Sequence, residues 1–178
     1  MKSKFFMIII LSASLLVAIF VFVGITGSKQ SVEEAQDIKN LVHQYSTRQL
    51  KAANASITSD ELIVTKSNSE EEVYPLPEDE FFVSIAPYLA KTHKCAIHSL
   101  TGCQGELTKK DFHVFITNED GEVVVDEMMQ SYENGFIDLW LPRNEKFHVK
   151  ITFEGKSSEQ EISTYKGDNT CITTMQLF

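Results

Sequence analysis

From Glu61 to the C terminus the chain is written in short runs of β-forming residues separated by turn signals. That texture restricts this part of the molecule to a small sheet protein. Glu61 to Thr65 and Glu72 to Leu76 flank the polar turn Ser67-Asn68-Ser69, and Pro75, Pro77 and Pro87 bracket the apolar run Phe81 to Ile85. Phe112 to Thr117 and Glu122 to Val125 are joined by Asn118-Glu119-Asp120-Gly121, a hairpin signal. Asn134-Gly135 opens Phe136 to Leu141, and Lys146 to Phe153, Gln160 to Thr164 and Thr170 to Leu177 complete the series. The spacing predicts a small antiparallel β-sandwich from about residue 107. Trp140 is expected in its core. His113 and His148 alternate with apolar neighbours and are expected on the solvent face.

Upstream the period changes. Val32, Ala35, Ile38, Leu41, Val42, Tyr45 and Leu50 recur at helical spacing, predicting an amphipathic helix over Ser31–Ala53 with Ser31 and Glu34 as a capping box. Its apolar stripe must be covered, either by its own domain or by a second copy. Asn54-Ala55-Ser56 matches the N-glycosylation pattern but carries little weight alone. Before the helix, Phe5 to Ile25 is almost wholly apolar, and as a helix it spans roughly 30 Å, the thickness of a bilayer core. Lys2 and Lys4 form a basic inner flank, and Val23 to Ser28 makes a poor cleavage site. The expectation is an uncleaved membrane helix, with a cleaved signal as the alternative. Both place the remainder outside the cytoplasm. The fold class expected is α+β. Residues 1–29 form the anchor or signal. Residues 30–90 form a helix plus a short β segment, a candidate dimerisation region. Residues 91–178 form the Cys/His segment and the sandwich.

Removing Lys2 and Lys4 from the 16 basic residues leaves 14 against 25 acidic ones, a formal charge of −11 beyond the apolar run. A surface of that sign argues against nucleic acid as a partner. No Gly-x-Ser-x-Gly elbow, phosphate loop or His-Glu-x-x-His helix is present, so hydrolase chemistry has no support.

The informative stretch runs from Thr92 to Cys103 and holds His93, Cys95, His98 and Cys103. Thiolates and imidazoles are ligands for copper(I) and zinc. Cys95 and His98 can reach one ion from a turn, and Cys103 can join after the Thr101-Gly102 bend. Cys171 has to be delivered by the fold. Alternatives remain open at this point. Cys103 and Cys171 can form a structural disulfide, as exported cysteines usually pair, and the chain would then be a disulfide-stapled protein-binding module. A structural zinc site is a second alternative, although the spacing is not that of a zinc ribbon. As a redox pair, Cys103 and Cys171 could also reduce copper(II). Met128, Met129 and Met175 are read as apolar filler, and Glu78-Asp79-Glu80 as a solvated acidic loop.

Four blocks resemble the CueP family of exported copper-binding proteins: Leu76 to Tyr88, Cys95 to Leu107, Asn134 to Arg143 and Asp168 to Leu177. The resemblance implies copper as the metal, bound through Cys95, Cys103 and Cys171 with His98 as the best nearby imidazole and His93 as a looser carry-over. The soft donors lead to an expected preference for copper(I), with zinc possible in its place. The resemblance implies a role in copper tolerance, holding or passing copper to an extracytoplasmic client. It also implies dimerisation through the N-terminal region. A thiol reductant is a further expected partner wherever the cysteines cycle through a disulfide. The apolar N-terminal run is a departure from periplasmic relatives and suggests tethering to the outer face of the membrane.

Overall fold

The structure, a computed structural model, describes residues 34–178. The expected membrane segment, residues 1–29, and the expected start of the helix, including Ser31 and Val32, lie outside the described residues. No helix among the described residues is long and apolar enough to cross a membrane. The chain divides into two units, Met1–Lys39 and Asn40–Phe178. Of the first unit, residues 34–39 are described. They are helical, with Ile38 buried.

Helix α1 covers residues 34–46, and in the second unit it buries Val42, Tyr45 and Ser46. The expected helix to Ala53 is therefore too long. It stops at a Schellman motif. Arg48 takes a left-handed φ of 61°, its N–H reaches the carbonyl of Tyr45, and the N–H of Gln49 reaches that of Gln44. Leu50 falls beyond this stop and is exposed, so it does not belong to the apolar stripe. An arginine holds the position where glycine is usual, which is why the sequence shows no stop there.

Three sheets follow. Strands β1 (Asn54–Ile57), β2 (Glu61–Thr65) and β3 (Glu71–Pro75) form an antiparallel meander, and β5 (His98–Ser99) pairs with β1 at its other edge. Strand β4 (Glu80–Ile85) is the centre of a second sheet, between β8 (Ile137–Pro142) and β11 (Cys171–Ile172). Strands β10 (Lys156–Ser163), β9 (Lys146–Phe153), β6 (Asp111–Asn118) and β7 (Val123–Gln130) form the third, in that order.

The second and third sheets make the sandwich. Alternate residues of β4 (Phe81, Val83, Ile85) and β8 (Ile137, Leu139, Leu141) meet Phe112, Val114 and Ile116 of β6 and Phe147, Val149 and Ile151 of β9 in one core. Each fully buried side chain of this size contributes about 1.5–3 kcal/mol. The sandwich thus draws in β4, well before its expected start near residue 107. Pro77 and Pro87 frame that strand, but its pairing partner, β8, lies more than fifty residues downstream. The sheets are also not purely antiparallel. Strand β11 runs parallel to β4, and Tyr88 and Gln176 continue the parallel pairing. Trp140 is a correction too. It alternates with the core residues Leu139 and Leu141, so it sits half-buried on the opposite face of β8, edge-on to Phe82 at 5.2 Å.

Strand β4 is buried on both faces. Its second face carries Phe82 and Ser84 toward the layer that holds the Cys/His segment. Ser84 and Ser46 of α1 both donate to Asp138 of β8, each at 2.5 Å. The expected hairpin closes at Gly121, whose φ of 80° only glycine adopts freely.

Candidate metal centre

Three chain segments deliver the candidate ligands. The first is the loop between β4 and β5, which carries His93 and Cys95. The second is β5 with the turn after it. Ser99 accepts the N–H of Cys103 at 2.9 Å on its carbonyl and that of Gly102 at 3.0 Å on its hydroxyl. A Cβ at residue 102 would lie 2.8 Å from the Ser99 hydroxyl, which would have to turn away from the Gly102 N–H. The turn brings the Cys103 sulfur within 3.4 Å of the Ser99 N–H. The third segment is β11. Cys171 is buried there opposite Ser84, and its N–H reaches the carbonyl of Ala96, next to Cys95, at 3.1 Å.

A pair of glycines sets the approach. Gly105 donates to the Asn134 carbonyl at 2.6 Å, and a Cβ at residue 105 would lie 2.7 Å from the Gly135 carbonyl oxygen. The segment after Cys103 therefore lies directly on the turn before β8. That turn also places Phe136 against Ala86 and Cys171, with Cys95 and Cys103 packed beside them.

The donor atoms of His93, Cys95, Cys103 and Cys171 all lie within 4.8 Å of one another. The sulfurs of Cys95 and Cys103 are 3.5 Å apart, and all three cysteines are free thiols. Thiolates around one ion with bonds of about 2.3 Å stand roughly 3.7–4.0 Å apart, so the cluster fits a soft metal with small movements. His98 occupies a different place. It is fully buried, with Nδ1 3.5 Å from the Cys171 sulfur and Nε2 without a hydrogen-bond partner. Its ring lies 4.5 Å from that of Phe136, which His93 approaches edge-on from 6.3 Å. An open depression of about 550 Å³, lined in part by Tyr88, Thr92, His93 and Cys95, leads to the cluster from outside.

The sulfurs do not ionise independently. The Cys171 thiol, His98, His93 and the Ser99 N–H hold Cys103 well below the ordinary thiol range, in that order of effect after allowing for opposing burial. Cys171 moves up because it hydrogen-bonds to Cys103, and burial adds to this. Burial chiefly raises Cys95. The contact with Cys171 that favours the thiolate at Cys103 therefore disfavours it at Cys171, and contact with Cys103 adds to burial in disfavouring it at Cys95.

The remaining sequence candidates lie elsewhere. His113 and His148 are exposed on the sandwich and face Asp126 at 2.7 Å and Glu159 at 3.4 Å. Met175 is buried in the sandwich core, Met129 packs against that core, and Met128 is exposed. Residues that the sequence did not single out form the walls. Phe82 and Phe136 flank His98, and Thr170 accepts the His98 N–H while donating to the Ile57 carbonyl. No local pattern marks them, since each reads as an ordinary strand residue.

A family model described as periplasmic copper-binding protein CueP matches residues 37–176. The chain belongs to the CueP family. A solved structure described as "Crystal Structure of S.CueP" is 39% identical, covers 79% of this chain and 89% of its own, and superposes with a TM-score of 0.74. No curated protein sequence matches significantly. As a CueP the chain is an extracytoplasmic copper-binding protein, and all five candidate ligands fall inside the matched span.

Proposed function

We propose that the protein binds copper(I) through the thiolates of Cys95, Cys103 and Cys171, completed by an imidazole of His93 or His98, and that it sequesters copper or delivers it to an extracytoplasmic client. The observation that carries this reading is the convergence of three sulfurs and an imidazole within 4.8 Å. Such a soft donor set favours copper(I), with zinc as the competitor to exclude. The test is titration of the fully reduced full-length protein with copper(I) and, separately, zinc, against a chromophoric competitor. Tight copper(I) binding that disappears in Cys95→Ser/Cys103→Ser is expected. Equal affinity in that variant sinks the reading. His93→Ala and His98→Ala then separate the two imidazoles.

Copper tolerance follows if the holder lowers free extracytoplasmic copper; a deletion strain no more copper-sensitive than its parent removes that role. The N-terminal run is proposed to anchor the protein to the membrane's outer face, which predicts extraction by detergent and not by carbonate. A homodimer through the N-terminal region predicts twice the monomer mass in sedimentation.

A second reading is favoured by one distance, the 3.5 Å between the Cys95 and Cys103 sulfurs. Together with Cys171 they form a thiol set in which any pair could reduce copper(II). Two copper(II) ions each accept one electron, two thiols lose their protons, and one S–S bond forms. An extracytoplasmic thiol reductant would be required to restore them. Loss of two thiols per two copper(I) formed supports it; no copper(I) from the reduced protein removes it.

A further inference from the structure

The three ligand-bearing segments are held at the points where they leave their strands, and a single carboxylate makes the densest of these ties. Glu106 lies three residues after Cys103. Its Oε2 accepts the N–H groups of Leu89 at 2.7 Å, Ala90 at 2.9 Å and Lys91 at 3.1 Å. These residues immediately precede His93 and Cys95. Successive N–H groups converging on one oxygen form a compact anion-binding nest, here filled from within the chain. Two further ties complete the frame. The Thr92 hydroxyl donates to the carbonyl of Thr173, two residues after Cys171, at 2.7 Å. The N–H groups of Thr170 and Cys171 both reach the Ala96 carbonyl.

We propose that Glu106 is a positioning residue for the metal centre: its carboxylate fixes the start of the His93–Cys95 loop to the Cys103 segment, so that the imidazole and the two sulfurs are already close when copper arrives. The proposal rests on the copper(I) reading above. The loop is exposed from Lys91 to Lys94, and the Thr92 hydroxyl and the edge-on His93–Phe136 contact are its other ties. Without the clamp the entropy of ordering it would be charged against binding. Only Oε2 is used, so glutamine can keep an acceptor in place and alanine cannot.

The test compares full-length wild type, Glu106→Gln, Glu106→Ala and Cys95→Ser/Cys103→Ser by copper(I) competition, by X-ray absorption count of sulfur and nitrogen ligands, and by amide exchange at residues 89–91 of the metal-free protein. Alanine is expected to weaken copper(I) binding by about tenfold, the low end for a residue acting through others. It is also expected to free the three amides and lower the ligand count, while glutamine stays within about threefold of wild type. If alanine unfolds the protein, Glu106→Asp, which withdraws the carboxylate by one methylene, serves instead with the same expectation. Wild-type affinity and ligand count in alanine, or in aspartate if that is the variant used, overturn the clamp while leaving the copper reading intact. Wild-type affinity in the double cysteine variant overturns both.

Discussion

Cys171 lies directly opposite Ser84 in the parallel pairing of β11 with β4, and the Ser84 hydroxyl donates to Asp138 at 2.5 Å. The most buried sulfur of the cluster is therefore set by the strand whose other face fills the sandwich core. The second Asp138 oxygen takes the hydroxyl of Ser46, so helix α1 is fastened to the same point.

Replacing Asp138 by alanine leaves two buried hydroxyls without their acceptor. The expected loss is about 1–3 kcal/mol per unsatisfied donor. Urea denaturation should show a lower midpoint with an unchanged slope. An unchanged midpoint would mean the helix is held by packing of Val42 and Tyr45 alone.

Gly105→Ala should be among the more damaging small substitutions. The new Cβ meets the Gly135 backbone at 2.7 Å, and backbone cannot rotate away as a side chain can. Overpacking of this kind costs about 1–3 kcal/mol. Thermal unfolding reads that loss, and copper(I) affinity should fall with it, because the same contact seats the Cys103 segment. Stability equal to wild type would show that the two turns can separate.

Cys103 is held below the ordinary thiol range and Cys95 and Cys171 above it. In the metal-free reduced protein Cys103 should be the thiol alkylated first at neutral pH. Its rate should stay level as pH falls through 7, where an ordinary thiol slows tenfold per unit. His93→Ala removes one of the stabilising groups and should raise the pH at which the rate falls. Peptide mapping after brief iodoacetamide treatment identifies the site. Preferential labelling of Cys95 would contradict the assignment.

Glu106 has its carboxyl pKa lowered, first by the Ala90 N–H and then by those of Lys91 and Leu89, against slight burial. A depressed carboxylate contributes stability that is fully present above its unfolded pKa of about 4.3 and is lost as pH falls through the folded value. The stability difference between wild type and Glu106→Gln should be constant near neutrality and shrink below about pH 4.3. A difference that persists unchanged into that acid range would show that the charge contributes nothing.

Much of the β architecture was legible because strand periodicity is local. Glu61–Thr65 and Lys146–Phe153 are strands with the expected limits, and the Asn118–Gly121 turn closes the hairpin as expected. Strands β1 and β5 were not legible. Asn54–Ile57 follows directly on a segment that reads as helix, and His98–Ser99 is too short to show a period. Strand β1 is fixed by its pairing with β2, and β5 exists because its two residues pair with the other edge of β1. Trp140 misled for a related reason. Size and apolarity suggest the core, but alternation along β8 assigns the face.

For the metal centre, the amino-acid sequence by itself determined the kind of chemistry. Two imidazoles and two thiols within residues 93–103 restrict the site to soft-metal or redox chemistry, and the family pattern selects copper. Which groups share one space was decided only by the tertiary structure. His98 and Cys171 stand 73 residues apart in the chain, yet their side chains lie 3.5 Å apart. His93, the less obvious imidazole, joins the three-sulfur group, while His98 lies buried beside it. Proximity of that kind depends on which strand lies parallel to β4 and on which two glycines touch. Those relationships arise from closing long loops around a common core, so no local stretch of residues encodes them.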